Sequence, residues 1–130
     1  MDIDDHKLEF EQSAYMVGIR NTIPINTVIY KVQAFDRDSQ NMPTSYFISN
    51  TSYASQYHRK DNKFKEDLAT IFEMNNKTGE ILLAKSVSDF VDGHFTLSIY
   101  ATNNQFSESH ATIKIFVVRD KSIMKFIFSK

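Results

Sequence analysis

The sequence predicts an all-β protein, an antiparallel sandwich of about seven short strands. Three observations carry that expectation. Apolar and polar residues alternate with period two along much of the chain, as strands with one buried face require. The alternating stretches are rich in β-branched and aromatic residues, which suit a pleated half-buried surface, and Phe (11) and Tyr (6) supply the aromatic mass. Turn signals separate the runs, with no long helical periodicity between them.

Residues 8–12 and 16–19 are the first short candidates. Over 27–36, Val28, Tyr30, Val32 and Ala34 share one face, and Lys31 and Gln33 lie on the other. Residues 45–48 form another short run. The runs 71–74 and 80–83 are joined by Asn75, Asn76, Lys77, Thr78 and Gly79, a hairpin turn in which Gly79 is free to take positive φ. Over 94–102, Phe95, Leu97, Ile99 and Ala101 alternate with Thr96, Ser98 and Tyr100. Over 109–118, Ala111, Ile113, Ile115 and Val117 alternate with Thr112 and Lys114. The rhythm breaks over 49–69, a polar stretch longer than a strand connection needs. It reads as a long loop or a short helix, with 61–69 (DNKFKEDLA) able to form helical turns capped by Asp61. A last apolar run, 122–128 (SIMKFIF), lies beyond the final clear strand.

At 130 residues the chain is one ordinary domain, long enough to bury a core without staples. Fifteen Lys and Arg against sixteen Asp and Glu leave a formal charge of −1. So small a net charge supplies no field for phosphate backbones or anionic lipid, and nucleic-acid and membrane-surface binding are not expected. Cysteine is absent, which excludes thiol catalysis, zinc–thiolate sites and disulfides. No stretch approaches the ~18 apolar residues of a membrane span, so no direct membrane insertion is expected. The acidic start (Asp2, Asp4, Asp5) is the reverse of a signal peptide and reads as the edge of a domain within a longer chain.

No enzyme signature is present. Three glycines cannot build a phosphate-cradling loop, and there is no nucleophile elbow. The histidines (His6, His58, His94, His110) lack the spacing of a helical zinc site. Instead, acids and amides gather where strands run out. Asp2, Asp4 and Asp5 stand at the start, Asp36 and Asp38 follow the strand over 27–36, and Asn103 ends the strand over 94–102. If these loops share one pole, their carboxylates repel unless a hard cation lies between them, and calcium takes about 6–8 such oxygens. The preference of turns for Asp and Asn accounts for the same clusters without a metal.

The spacing resembles the cadherin family. DIDDHKLEF (residues 2–10) is similar to the cadherin inter-repeat linker, Asp-x-Asn-Asp-Asn-x-Pro-x-Phe: Asp2, Asp5 and Phe10 match, Asp4 and His6 stand for Asn, and Leu8 for Pro. VQAFDRD (32–38) resembles the family's Ala-x-Asp-x-Asp segment. FEMNNKTGEILLAK (72–85) resembles its Phe-x-Ile-x-x-x-Thr-Gly-x-Ile hairpin, and FTLSIYATN (95–103) its Tyr-x-Leu-x-Val-x-Ala-x-Asp strand. The resemblance implies an extracellular cadherin repeat of a nonclassical cadherin or protocadherin, a seven-stranded antiparallel Greek-key sandwich. It divides the chain into an inter-repeat linker (1–10), the repeat (7–120) and a linker or first strand of a following module (121–130).

It further implies calcium at the N-terminal pole, held by Asp2, Asp4, Asp5, His6, Asp36, Asp38 and Asn103, with Asn41 offering a carbonyl. At the C-terminal pole nearly every one of the family's carboxylates is gone: Asn21 stands for a Glu, Ser88, Asp89 and Phe90 for Asp-Arg-Glu, and the second linker reads DKSIM from Asp120. The implied role is a spacer or force-bearing element in the extracellular part of a single-pass plasma-membrane protein, calcium-free at its far end. The tip-link cadherins of hair cells are the group it resembles, with this repeat the last before the membrane. Its partners would be neighbouring repeats of the same chain, and a cadherin, membrane protein or second copy. Trp is absent, so strand-swap adhesion through an N-terminal Trp is excluded. Two sequons, at Asn50 and Asn76, suit an extracellular setting. Tyr53, Tyr57, His58 and Arg59 are residue types favoured at interfaces. The alternative is a calcium-independent immunoglobulin-like interaction module, which would tolerate Asn at both 36 and 38.

Overall fold

A computed structural model describes residues 8–36, 44–55, 68–103 and 108–120 of the chain. The alternating segments become strands β1 (Leu8–Phe10), β2 (Ala14–Arg20), β3 (Val28–Lys31), β4 (Ala34–Asp36) and β5 (Thr44–Ser55). They continue as β6 (Phe72–Met74), β7 (Glu80–Leu83), β8 (Gly93–Asn103) and β9 (Glu108–Val118). The hydrogen-bonded orders are β1-β4, β3-β7-β6 and β2-β9-β8-β5.

These segments reduce to the seven strands expected. Only Val32 and Gln33 separate β3 from β4, and the Val32 amide still donates to the Gly79 carbonyl at 3.0 Å, so the two are one interrupted strand. Likewise β1 and β2 are one edge strand that changes sheet. β1 joins β4, and β2 joins β9. The β2–β9 pairing is parallel, the exception to an otherwise antiparallel sandwich. It is permitted because these strands come from opposite ends of the chain, so no tight hairpin dictates their relative direction.

The two layers close over a core supplied mainly by the alternating residues of the long strands. Phe95, Leu97 and Ile99 of β8, Ile113, Ile115 and Val117 of β9, and Ile81 and Leu83 of β7 are at most 1% exposed. Each contributes about 1.5–3 kcal/mol through removal from water. Gly79 takes φ 80° in the β6–β7 turn, and a Cβ there would strike the Val32 carbonyl. Its amide donates to the Asn75 carbonyl at 2.9 Å, while Asn75 Oδ1 accepts from the Lys77 and Thr78 amides.

The largest departure from expectation is β5, which continues to Ser55 through residues read as loop. Its pairing passes from Ile48–Ile99 to Asn50–Ser98, with Ser49 left over as a bulge. The extra residue shifts the alternation by one, so the strand after it no longer matches the pattern before it. Past the bulge, Thr51, Tyr53 and Ser55 lie opposite the inward residues Leu97, Phe95 and Gly93. Of the expected helix, the described residues show a 3-10 turn at Leu68–Thr70, and 61–67 lie outside them.

Candidate metal centre at the N-terminal pole

Strand direction sorts the chain ends into two poles. β1 pairs antiparallel with β4 in the register Leu8–Asp36, so the start of β1 lies beside the end of β4. β8 ends at Asn103, opposite Thr44 at the start of β5. The Phe10 amide donates to Ser109 Oγ at 3.3 Å, tying β1 to the start of β9. Three separated positions, Leu8 at the start of β1, the end of β4 and the end of β8, therefore share one pole.

Asn103 is 8% exposed and is the one buried polar or charged side chain among the described residues. A polar group at that depth is held in orientation by its surroundings, the condition a preorganised ligand needs. The expected donors are all hard oxygens apart from His6, and that chemistry fits calcium better than a softer metal. Asp2, Asp4, Asp5, His6, Asp38 and Asn41 lie outside the described residues, as does the Asp36 side chain. Among the described residues no group of three or more His, Asp or Glu could hold a metal ion. What the fold supplies is the convergence of backbone positions.

The C-terminal pole is closed by hydrogen bonds. Asn21 Oδ1 accepts from the Asp120 amide at 2.9 Å, and the Asn21 amide donates to the Val118 carbonyl at 2.8 Å. Thr22 Oγ1 donates to Asp120 Oδ2 at 2.7 Å, and Arg119 pairs with Asp92 at 3.0 Å. Phe90, where the family pattern has a carboxylate, is 7% exposed and packs edge-on against Tyr53 at 4.9 Å and tilted against Phe95 at 5.0 Å. A shallow hollow lined by Ala54, Gly93, His94, Phe116, Val118 and Arg119 lies at this pole, away from the expected metal ligands.

Tyr53 corrects an expectation. The sequence places it in a loop among residue types favoured at interfaces, whereas it is part of β5 and turns inward onto Phe90 and Phe95. Its hydroxyl donates to the Phe90 carbonyl at 3.1 Å. Burial pushes its phenol pKa up, partly offset by a hydrogen bond with Ser55. Gly93 is what makes room, since a Cβ there would run into the Tyr53 ring and lie 2.7 Å from the Ala54 carbonyl. Tyr57, His58 and Arg59 lie outside the described residues. Asn50 and Asn76 are both exposed, on β5 and in the β6–β7 turn. The Asn21–Thr22–Asp120 closure was not anticipated, because nothing local links residues so far apart in sequence.

The described chain enters the β-sandwich at one pole, at Leu8, and reaches the other at Val118. No family model matches the chain. It is 32% identical over 88 residues to human protocadherin alpha-C1, covering 67% of this chain and 8% of that protein. It is 27% identical over 119 residues to human protocadherin gamma-B2, covering 92% of this chain and 12% of that protein. The solved structure of protocadherin gamma B2 extracellular cadherin domains 1–5 matches its fold with TM-score 0.69 at 22% identity, over 93% of this chain and 21% of that one. The chain belongs to the cadherin family and is an extracellular cadherin repeat. Such a repeat is an adhesion module and not an enzyme. Among the described residues no helix is long and apolar enough to cross a membrane.

Proposed function

We propose that this repeat binds calcium at its N-terminal pole and none at its C-terminal pole, and serves as a spacer or force-bearing element in the extracellular part of a membrane cadherin. The supporting observation is the Leu8–Asp36 register, which sets Leu8, the residue that follows the acidic stretch 1–7 in sequence, opposite the end of β4. Asp2, Asp4, Asp5, Asp36, Asp38 and Asn103 would hold the ion, with His6 and the Asn41 carbonyl beside them. Calcium would neutralise mutually repelling carboxylates and so stiffen the joint with the preceding repeat. Without that repeat's ligands, binding should be weak, near ~10⁻³ M.

At the other pole, Asn21 and Thr22 hold the departing backbone through Asp120. A pole whose groups already pair with one another, the Arg119–Asp92 ion pair included, supports a rod end or a differently packed joint. We assign residues 1–10 to the inter-repeat linker, 7–120 to the repeat and 121–130 to a linker or the start of a further module. The position next to the membrane, as in a tip-link-type cadherin, follows from that reading. Neighbouring repeats of the same chain are the first partners, and a second copy or another membrane protein is the next.

Calcium titration followed by backbone amide NMR tests this. Shifts near Leu8, Asp36 and Asn103, with Asn21, 88–90 and Asp120 silent, are the expected result. Shifts at both poles would mean an ordinary internal repeat and would overturn the one-sided assignment.

A further inference from the structure

The outer face of the four-stranded sheet carries a strip of rings that neither the core nor the calcium reading uses. Phe47 of β5 stacks on Tyr100 of β8 with centroids 5.0 Å apart and planes at 25°, and Tyr100 stacks on His110 of β9 at 5.7 Å and 29°. Tyr100 and His110 alternate with the buried Ile99, Ala101 and Ala111, so the strip faces outward.

The bulge in β5 places a sequon asparagine beside that strip. In an unbroken strand, residues 47 and 49 would share a face and Asn50 would turn toward the core with Ile48. With Ser49 looped out, Asn50 pairs with Ser98, two residues from Tyr100 on the same face of β8, while Phe47 pairs with Tyr100. Asn50 thus returns to the outer face, about 7 Å along the strand from the ring pair. It is exposed, and the bulge is held by Ser49 Oγ donating to the Ser98 carbonyl at 3.1 Å.

We propose that Asn50 carries an N-linked glycan whose first N-acetylglucosamine residue lies on the stacked rings of Phe47 and Tyr100. Its attachment uses a lipid-diphosphate-linked oligosaccharide as donor. The Asn50 amide nitrogen bonds to C1 of the terminal N-acetylglucosamine, the C1–O bond to the diphosphate breaks, the lipid diphosphate leaves, and the amide proton passes to a carboxylate of the transferase. The sugar's C–H face, polarised by its oxygens, then meets the negative faces of the rings. The hydroxyls of Ser98 and Thr112 line the same outer face for the sugar's polar groups. The platform is independent of the calcium assignment.

The test uses the chain secreted from a glycosylating eukaryotic host. Glycopeptide mass spectrometry should find Asn50 occupied. Proton NMR should show sugar protons shifted upfield by the rings, with cross-relaxation to Phe47 and Tyr100. Trimming to one N-acetylglucosamine should keep both signals and a Tm about 3 °C above the fully deglycosylated chain. In a Phe47→Thr chain, still glycosylated, that increment and the shifts should vanish, whereas Asn76→Gln should leave them unchanged. An empty Asn50, or an occupied Asn50 whose sugar protons show no ring shift in the unmutated chain, would overturn the proposal whether or not the variant folds.

Discussion

The two poles of the sandwich handle the same geometric task by different chemistry. At the N-terminal pole the ends of β1, β4 and β8 meet, and the sequence around them is dense in carboxylates. At the C-terminal pole the ends of β2 and β9 meet, and amide, hydroxyl and backbone groups satisfy one another directly. A pole rich in like charge is incomplete by itself and gains rigidity when a cation arrives. A pole whose amide, hydroxyl and charged groups already pair with one another is complete without one. On the proposed reading, calcium would act at the N-terminal pole because like charge is concentrated there in the sequence.

Four variants can break or sharpen that contrast. Phe90→Ala should have the largest effect, lowering stability by about 3 kcal/mol through loss of the ring packed on Tyr53 and Phe95. A urea midpoint that drops equally with and without calcium would mark the C-terminal pole as metal-independent. Asp36→Asn combined with Asp38→Asn should do the reverse. At calcium about ten times Kd, binding adds about 1.4 kcal/mol, and thermal denaturation of the double variant should lose that increment while its calcium-free Tm barely moves. An unchanged calcium increment would remove Asp36 and Asp38 from the ligand set.

Asn21→Ala should cost about 1 kcal/mol, because the Asp120 amide loses its acceptor. Hydrogen exchange should report faster opening at Asp120, with or without calcium. The smallest effect lies in alkaline solution. Burial raises the Tyr53 phenol above its ordinary value of 10.0, so the folded chain holds that proton more tightly than the unfolded chain. Its contribution is fully present below pH 10 and is lost as pH rises through the folded value. Tyr53→Phe should reduce the slope of stability against pH above 10, leaving the share due to Tyr15, whose phenol is also raised by burial. An unaltered slope would mean that Tyr53 does not titrate with unfolding.

Much of the framework was legible before any coordinates. The inward sets of β8 and β9, Phe95 to Ala101 and Ala111 to Val117, were read directly from alternation, and all of those residues are buried. The β6–β7 turn was read from Asn75 to Gly79, and Gly79 does take positive φ. β5 was cut short because one looped-out residue, Ser49, reverses the phase of every later side chain. Tyr53 was misread as a consequence, since its inward direction depends on that reversal. The candidate metal centre was legible as residue types, while the convergence of its chain segments required strand pairing.

By itself the sequence determined most of the segments that become strands, where the β6–β7 hairpin turns, and where acidic residues cluster, because alternation, turn chemistry and residue charge are local properties. Only the tertiary structure decided the parallel course of β2 along β9, the Asn21–Asp120 closure and the outward return of Asn50. Each of these depends on which strand lies alongside and in what register, a choice made by the packing of residues distant in the chain.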